Sequence, residues 1–240
     1  CTIPLARGKS RNGTIDDTIR KIIQLTDQGF KEIVLSGINI GDFGFETNEN
    51  LYMLLKEIER IKKLERYRIS SIEPNLIDGN ILQILSKSKK AMPHFHIPLQ
   101  SGSNKILKLM KRRYTVEQYI EKINYINKII PNVNIGVDVI AGFPNESLED
   151  FNETYNLLSD LEVSYFHVFT YSERNNTEAK NIFPKVEERI KKKRRKLLMQ
   201  LSDQKKQYYI NNNITKISKV LFESYNDGYL GGLTENYIRV

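Results

Sequence analysis

Short runs rich in β-branched and aromatic residues alternate in this chain with longer stretches of helical spacing. The short runs occupy residues 32–36, 67–72, 94–99, 133–140 and 165–171. The helical stretches occupy residues 14–28, 51–61, 76–86, 116–130 and 148–161. Strands that alternate with helices of this length form right-handed βαβ units, which build a parallel sheet. The alternation therefore predicts an α/β fold.

The spacing of the strands favours a barrel or open barrel over a doubly wound sheet. Five predicted strands recur at intervals of about 30 residues, as expected for β/α repeats. A dinucleotide-binding sheet would carry Gly-x-Gly-x-x-Gly after its first strand. The nearest match, Ser36-Gly-Ile-Asn-Ile-Gly41, has the wrong glycine spacing. We therefore predict a barrel-like domain over residues 1–183.

The pattern changes after Tyr171. Residues 172–177 are polar, and Pro184 is well placed to open a helix over residues 185–211. Residues 216–240 have the pattern of short strands joined at Asn226-Asp-Gly228. We predict a linker helix over residues 184–213 and the start of a small β-domain over residues 214–240.

The net charge of +8 is concentrated in this last part of the chain. Residues 1–183 contain 24 basic and 23 acidic side chains, whereas residues 184–240 contain 13 and 6. A basic segment next to a nearly neutral domain is typical of proteins that bind a polyanion. The charge distribution therefore predicts a polyanionic partner for the C-terminal part.

Cys1 is the only cysteine, which excludes an internal disulfide framework and favours a reducing compartment such as the cytoplasm. The longest apolar runs, such as residues 137–141, are far shorter than the roughly 20 residues that span a bilayer. The sequence does not begin with Met. We expect further residues before Cys1.

Polar residues follow every predicted strand, at the end where a parallel β/α barrel forms its active site. They occupy residues 36–39, 70–73, 100–103, 142–146 and 171–173. A turn that merely ends a strand accounts equally well for any one of these groups. Five strands that end alike favour a shared site.

Three further features have both a functional and a structural interpretation. Asp138 lies within an apolar run, where a buried carboxylate needs a partner, either a ligand or a neighbouring loop. His94 and His96 lie on one face of a strand, but no nearby Cys or His completes a zinc site. Arg112, in a Lys-Arg-Arg run, suits a carboxylate or phosphate, although such runs are usually solvated. For the basic runs at residues 87–90 and 191–196, a solvated surface is the favoured interpretation.

Several motifs resemble, in order, signatures of the radical-SAM tRNA methylthiotransferase family. Residues 1–11 resemble the segment that begins at the third cysteine of the family's C-x₃-C-x₂-C loop. Residues 96–103, 110–115 and 138–144 look like further signatures of that family. Residues 232–240 resemble the opening of its TRAM domain, a small RNA-binding β-barrel. The resemblance covers essentially the whole chain.

Within the family, two segments look most like the branch that methylthiolates threonylcarbamoyladenosine beside the tRNA anticodon. They are residues 3–8 (Ile-Pro-Leu-Ala-Arg-Gly) and residues 70–74 (Ser-Ser-Ile-Glu-Pro). The branch that acts on isopentenyladenosine remains the alternative.

The resemblance implies a radical-SAM (β/α)₆ partial TIM barrel, with its first strand missing here, followed by the start of a TRAM domain. It also implies a [4Fe–4S] cluster on three thiolates, S-adenosylmethionine as cosubstrate, and a second cluster on an N-terminal domain. The implied partners are the tRNA anticodon stem-loop and an electron donor such as flavodoxin or ferredoxin. Because the chain carries one loop cysteine, we expect it not to hold the cluster or turn over by itself.

Carried over position by position, the resemblance makes Cys1 a ligand of the cluster. It places Gly37 and Asn39, in the loop after the strand at residues 32–36, near the methionine amine of S-adenosylmethionine. It places Ser71 and Glu73, at the end of the strand at residues 67–72, near the methionyl or ribose polar groups. Gln100 and Arg112 are expected at the ribose and the methionine carboxylate, with residues 139–143 against adenine. The predicted cofactor-binding residues are Gly37, Asn39, Ser71, Glu73, Gln100, Arg112, Asp138 and Phe143.

Two other classes of function stay open at this point. In one, the chain is a cluster-free RNA-binding protein whose barrel is only a scaffold. In the other, it is a barrel lyase or isomerase that acts on a phosphorylated metabolite. The second would bind phosphate after the late strands, yet Gly142-Phe143-Pro144 offers few backbone N–H groups for it.

Overall fold

A computed structural model of the protein describes residues 6, 8 and 11–240, and it confirms the predicted alternation of parallel strands and helices. The helices are α1 (Ile15–Asp27), α2 (Leu51–Arg60), α3 (Gly79–Lys87), α4 (Asn104–Leu109), α5 (Val116–Ile129), α6 (Leu148–Asp160) and α7 (Glu188–Asn211). The strands are β1 (Glu32–Leu35), β2 (Arg66–Ile69), β3 (His94–His96), β4 (Asn134–Ala141), β5 (Tyr165–Thr170), β6 (Val220–Asn226) and β7 (Tyr229–Thr234).

The described chain divides into two compact units, which we name by their position in the sequence. The central unit contains Ile97–Tyr125 and Gly136–Tyr209. The flanking unit contains Arg11–His96, Ile126–Ile135 and Ile210–Val240.

In the flanking unit, β1 and β2 pair in parallel, in register from Glu32 with Arg66 to Leu35 with Ile69. An isolated parallel bridge then joins Ser71 to His96. Helix α2 buries Leu51, Leu54, Leu55 and Ile58, the one-sided pattern of an amphipathic helix on a sheet. The carboxyl ends of β1 and β2 therefore lie side by side.

The C-terminal hairpin belongs to the same unit. Strands β6 and β7 are antiparallel, and Asp227 and Gly228 at their turn have the positive φ angles of a two-residue hairpin. Beyond β7, the Tyr237 ring lies 4.5 Å from the Arg68 guanidinium and 4.8 Å from the His94 ring. Cation–π and aromatic contacts thus attach the end of the described chain to β2 and β3.

In the central unit, β4 and β5 pair in parallel, in register from Gly136 with Tyr165 to Ala141 with Thr170. The extended segment before α4 continues this sheet, because Gln100 bridges to Val139. Val137 and Val139 are fully buried on one face of β4. The carboxyl ends of β4 and β5 and the turn at residues 100–103 therefore lie together.

The helices differ from the sequence predictions in three places: two begin later than predicted, and one was not predicted. Helix α3 begins at Gly79 because Pro74–Leu76 form a 3₁₀ turn and the Asp78 carboxylate caps the Ile81 N–H at 2.7 Å. Helix α4 was not predicted, since its six residues are too few to show a period. Helix α7 begins at Glu188, because the Pro184 carbonyl accepts from the Asn145 N–H instead of opening the helix.

Helix α7 is the longest described helix, with 24 residues, and it is rich in lysine and arginine. Within the part of the chain that the structure describes, no helix combines the length and the apolar character needed to cross a membrane.

The turn at residues 100–103 is held against α6 by a buried polar cluster. The Gly102 N–H donates to Thr154 Oγ1 at 2.9 Å, and Ser103 Oγ donates to Asp150 Oδ1 at 2.8 Å. A Cβ on Gly102 would lie 2.6 Å from Thr154 Cα, so only glycine allows the two backbones to approach this closely. The Ser-Gly-Ser sequence is thereby explained by packing.

Asp150 carries most of the charge in this cluster. Burial alone would raise its pKa, but hydrogen bonds from Lys105, the Ser147 N–H and the Ser103 hydroxyl together lower the pKa of Asp150 to about 2. Ser147 and Asp150 also form the capping box of α6. Asp150 therefore stabilises both the helix start and the turn in its ionised form.

We expect Gly102→Ala to lower the free energy of unfolding by about 1–3 kcal/mol, because its Cβ meets backbone atoms that cannot move aside. Urea unfolding followed by circular dichroism measures the change. Gly79→Ala is the matched control. A Cβ on Gly79 would have no neighbouring atom within 4 Å, and Gly79 lies in the first turn of α3, so this variant should be neutral or slightly stabilising. Equal losses in both variants would contradict the steric explanation.

We expect Asp150→Asn to cost stability in a pH-dependent way. Because the folded pKa of Asp150 lies below the usual 3.8, its contribution is present above about pH 4 and is lost as the pH falls toward 2. The half-exposed Lys105 partner limits this contribution to about 1–2 kcal/mol. The difference in unfolding free energy between wild type and variant should therefore shrink from pH 6 to pH 3. Glu149→Gln, at an exposed neighbour, serves as the control, and a difference independent of pH would contradict the assignment.

Candidate active site

The predicted site residues of the flanking unit meet at the carboxyl ends of β1 and β2. Asn39 Nδ2 donates to Asp42 Oδ2 at 2.9 Å, and Asn39 Oδ1 accepts from the Glu73 N–H at 3.4 Å. The side chain of Asn39 thus joins the loop after β1 to the turn after β2. Ser71 lies two residues before Glu73, at the bridge to His96.

The two glycines of the loop after β1 differ in what surrounds them. A Cβ on Gly41 would lie 2.6 Å from the Leu76 side chain, so Gly41 is required by close packing. A Cβ on Gly37 would meet its nearest neighbour at 3.9 Å, an ordinary contact. Gly37 is exposed, and the described residues give no steric reason for its identity.

In the central unit, Gln100 lies directly against β4. Its N–H donates to the Asp138 carbonyl at 2.8 Å, and its carbonyl accepts from the Ile140 N–H at 2.9 Å. Gln100 is buried and has a φ of 69°, in the left-handed region that non-glycine residues rarely occupy. Strained backbone of this kind is concentrated at functional sites. Sequence reasoning selected Gln100 without any sign of this conformation.

The sequence predicted that Asp138 is buried within its apolar strand. In the structure Asp138 is partly exposed. It alternates with the buried Val137 and Val139, so its side chain leaves the opposite face of β4. In register with it on β5 is His167, which is exposed. The Asp138 carboxylate therefore lies on the face of the sheet opposite Val137 and Val139, in register with His167.

Aromatic residues that sequence reasoning had not selected share this face. Tyr165 covers Gly136, where a Cβ would lie 2.4 Å from the tyrosine hydroxyl. The Tyr165 and His167 rings are 5.2 Å apart, and Phe169 is 52% exposed. The period of two in Tyr165, His167 and Phe169 was the available signal, because alternate strand residues share a face.

Arg112 lies just after α4, where its N–H donates to the Leu107 carbonyl at 3.0 Å. Its segment is tied to the strand-like residues 97–99, because the Tyr114 hydroxyl donates to the carbonyls of Pro98 and Leu99 at 3.0 and 3.1 Å. Burial greatly raises the pKa of the nearby Tyr119, whose hydroxyl donates to the Ile97 carbonyl. These two tyrosines bring the Arg112 segment toward Gln100.

Phe143 lies in the loop after β4, and its ring meets the edge of Tyr171 at 5.3 Å. The loop is closed by Glu146, which accepts from the Gly142 N–H at 3.0 Å and forms a buried ion pair with Arg194 of α7. Burial raises the pKa of Glu146, while Arg194 and the Gly142 N–H oppose the rise. Arg194 also donates to the Glu146 and Ser147 carbonyls at 3.0 Å. Glu146 thus binds the start of the loop at Gly142, and Arg194 binds its end at Glu146 and Ser147.

The basic run at residues 191–196 is only partly a solvated charge run, contrary to the sequence interpretation. Lys191 and Arg194 are buried, at 8% and 6% exposure, whereas the other four residues of the run are exposed. The reason is the spacing of three residues, which places Lys191 and Arg194 on the helix face that meets the loop after β4.

The predicted cluster ligand, Cys1, lies outside the described residues. Among the residues that are described, no three His, Cys, Asp or Glu side chains converge as metal ligands. His94, one of the two candidate histidines, packs in a tilted arrangement against the Tyr237 ring, with ring centres 4.8 Å apart, and its Nδ1 lies 3.5 Å from Arg68. The whole sequence contains one thiol, and a cluster held by three protein thiolates needs two more.

Comparison with known sequences gives the same family as the motifs. The profile of the radical SAM superfamily matches residues 1–158. Threonylcarbamoyladenosine tRNA methylthiotransferase MtaB of Aquifex aeolicus (strain VF5) is 45% identical over 192 residues, 80% of this chain and 47% of that protein. The MtaB of Bacillus subtilis (strain 168) is 42% identical over 193 residues, 80% of this chain and 43% of that protein. The chain spans about half the length of these curated relatives.

A second group of relatives is named tRNA-2-methylthio-N(6)-dimethylallyladenosine synthase. The protein from Thermodesulfovibrio yellowstonii (strain ATCC 51303 / DSM 11347 / YP87) is 38% identical over 191 residues, 80% of this chain and 44% of that protein. Both groups therefore match this chain with similar coverage.

Among solved structures, the fold is similar to that of coproporphyrinogen III oxidase (HemN) from Escherichia coli, which is a radical SAM enzyme. The alignment covers 80% of this chain and 46% of the HemN chain, with a TM-score of 0.59. Its sequence identity is 14%, so the likeness is one of fold. The family profile over residues 1–158 is consistent with the parallel β/α units and with the polar groups at the strand ends. This chain belongs to the radical SAM superfamily.

Proposed function

We propose that the protein containing this chain is a transferase that adds a methylthio group to threonylcarbamoyladenosine next to the tRNA anticodon. The observation that carries the proposal is the identity of 45% and 42% to two MtaB proteins over 80% of the chain. The dimethylallyladenosine synthase at 38% supports the other branch as the alternative. Since the substrate is tRNA, we place this activity in the cytoplasm.

The proposal includes a [4Fe–4S] cluster and S-adenosylmethionine, with a second cluster elsewhere in the protein. When bound, these groups supply the radical and sulfur chemistry, which protein side chains cannot perform. The single thiol of this sequence does not by itself satisfy a three-thiolate site, so we derive no step through the cluster from this chain. An electron donor such as flavodoxin or ferredoxin would act as the partner.

For S-adenosylmethionine, the described residues offer suitable groups in each unit. In the central unit, Gln100, Arg112 and Asp138 supply polar groups for the ribose and methionine portions, and Phe143, which is buried in the loop after β4, is proposed beside adenine. In the flanking unit, the amide of Asn39 already joins two strand-end loops. We propose these residues, together with Gly37, Ser71 and Glu73, as cofactor contacts, and Cys1 as a cluster ligand.

We propose that the exposed face of α7 binds tRNA phosphates. Lys191 and Arg194 are used in contacts with the loop after β4, and Lys205 Nζ donates to the Leu161 carbonyl at 2.8 Å. The remaining cations of the helix are exposed: Arg189, Lys192, Lys193, Arg195, Lys196 and Lys206. Phosphate contacts of this kind supply affinity without reading sequence. Residues 184–213 would then serve as a basic linker and residues 214–240 as the start of an RNA-binding β-domain.

The proposed reaction predicts a modified nucleoside. Expression of the full-length protein in a bacterial strain that lacks endogenous methylthiotransferases should convert threonylcarbamoyladenosine in tRNA to its methylthio form, measured by mass spectrometry of digested tRNA. Cys1→Ala should abolish the product, because a cluster ligand is lost. Methylthiolation of dimethylallyladenosine instead would establish the alternative branch, and the absence of both products would contradict the proposal.

The proposed RNA face predicts a change in salt dependence. Replacing Lys192, Lys193 and Lys196 with Gln should weaken tRNA binding and lower the slope of log K against log salt by about 2–3, roughly one unit per lost phosphate contact. Fluorescence anisotropy between about 50 and 200 mM salt measures both. Lys87→Gln with Lys89→Gln, at two exposed lysines of the basic run at residues 87–90, should leave the slope unchanged. Wild-type affinity that is insensitive to salt would contradict this role of α7.

A further inference from the structure

One face of the sheet formed by β4 and β5 carries a row of aromatic rings that leads to the carboxyl end of β5. Because alternate residues of a strand share a face, Tyr165, His167 and Phe169 lie on the same side of β5. Tyr165 is partly exposed, His167 is exposed, and Phe169, one residue before the end of the strand, is 52% exposed. The side chain of Phe169 is therefore accessible to a ligand.

The amino end of this row is closed by Tyr165. A Cβ on Gly136 would lie 2.4 Å from the Tyr165 hydroxyl oxygen, so the tyrosine packs directly on the backbone of β4. The Tyr165 ring also meets the His167 ring edge-on, with ring centres 5.2 Å apart. These two rings are thus used in contacts within the face, whereas the Phe169 ring meets solvent.

The neighbouring residues of β4 place Phe169 beside the proposed cofactor contacts. In register, Asp138 lies beside His167 and Ile140 lies beside Phe169. Asp138 is one of the proposed contacts of S-adenosylmethionine. Gln100 is another, and its carbonyl accepts from the Ile140 N–H at 2.9 Å. A ligand on Phe169 would therefore lie close to the cofactor, as a substrate must in any reaction between the two.

Helix α7, which carries the proposed phosphate-binding cations, is hydrogen-bonded to the same strand. Ser202 Oγ accepts from the Phe166 N–H at 2.8 Å and donates to the Phe166 carbonyl at 3.1 Å. An RNA backbone held by the exposed face of α7 would therefore lie close to β5. This contact brings the proposed phosphate-binding surface and the exposed ring of Phe169 into one region of the central unit.

A nucleobase has the chemistry that this surface fits. Unpaired bases stack on exposed aromatic side chains. Enzymes that modify a base take it out of the helical stack, so the target base needs another stacking surface. A protein partner would need a larger apolar area than the side chains of Phe169 and Ile140 provide. The position next to a helix proposed to bind RNA favours the base.

We propose that the adenine ring of the target nucleoside stacks on the Phe169 ring. This inference rests on the proposed function, because it assigns a binding residue to the substrate of that reaction. Stacking does not read the substituent on the exocyclic nitrogen of adenine. Phe169 would thus bind threonylcarbamoyladenosine and dimethylallyladenosine alike.

The test measures the contribution of the target base to RNA binding. Fluorescence anisotropy gives the Kd of the full-length protein for two anticodon stem-loop RNAs, which carry either adenosine or an abasic site at the target position. Wild type should bind the adenosine RNA more tightly. Phe169→Ala should weaken binding of that RNA about 5- to 100-fold, as expected for loss of one base–aromatic stack. Affinity for the abasic RNA should not change, since the phosphate contacts are intact.

Two further variants separate stacking from structure. Phe169→Tyr keeps the ring and should retain both wild-type Kd values. Phe30→Ala makes the same truncation at a phenylalanine that is 55% exposed and lies two residues before β1, and it should also leave both Kd values unchanged. A merely structural role of Phe169 would lower the thermal midpoint of Phe169→Ala and weaken both RNAs alike, which would overturn the inference.

The adenine of the cofactor is the other flat ring that could occupy this surface. Calorimetry with S-adenosylhomocysteine tests it, and Phe169→Ala should bind this compound as wild type does. Weaker binding of S-adenosylhomocysteine with an unchanged preference for the adenosine RNA would assign Phe169 to the cofactor and overturn the inference.

The outcomes also distinguish this inference from the proposed function. If wild type methylthiolates threonylcarbamoyladenosine in tRNA but Phe169→Ala keeps the full preference for the adenosine RNA, the inference is wrong and the proposed function stands. If wild type forms neither methylthio product, the proposed function fails by that separate measurement. Loss of the base preference in Phe169→Ala would then still support the stacking site.

Discussion

The buried ion pair between Glu146 and Arg194 is the interaction on which the candidate site of the central unit depends. Burying two charges costs several kcal/mol each unless their remaining hydrogen-bonding positions are filled. Here Glu146 also accepts from the Gly142 N–H, and Arg194 also donates to the Glu146 and Ser147 carbonyls. Losing either partner would leave an uncompensated buried charge. The pair therefore determines the conformation of the loop after β4.

Several features of the site follow from that loop. Its closure sets Phe143 against Tyr171 and brings Lys191 over Gly142, where no Cβ would fit. The same contacts determine which face of α7 meets solvent. The exposed cations of α7 are consequently the ones that its buried face does not use. One ion pair thus organises both the loop after β4 and the proposed RNA-binding face.

The sequence predicted much of the fold and a smaller part of the site. The five parallel-type strands and the amphipathic helices were found because their periods are local properties of the chain. Gln100 was noted because it follows a predicted strand, Asp138 because a carboxylate stood within an apolar run, and Phe143 because of the family resemblance. The positive φ of Gln100 was not predictable, since it results from hydrogen bonds to both Asp138 and Ile140 of a distant strand. Tyr171 was noted only as one of many strand-end residues.

By itself, the sequence determined the order of strands and helices, the concentration of positive charge after residue 183, and the family motifs. These depend on residue type and spacing alone. Only the tertiary structure decided that Lys191 and Arg194 are buried while Lys192, Lys193, Arg195 and Lys196 meet solvent. A run of six basic residues covers every side of a helix, and nothing local distinguishes one side from another. The distinction arises because Glu146, 48 residues earlier in the chain than Arg194, supplies a buried carboxylate to this face of α7.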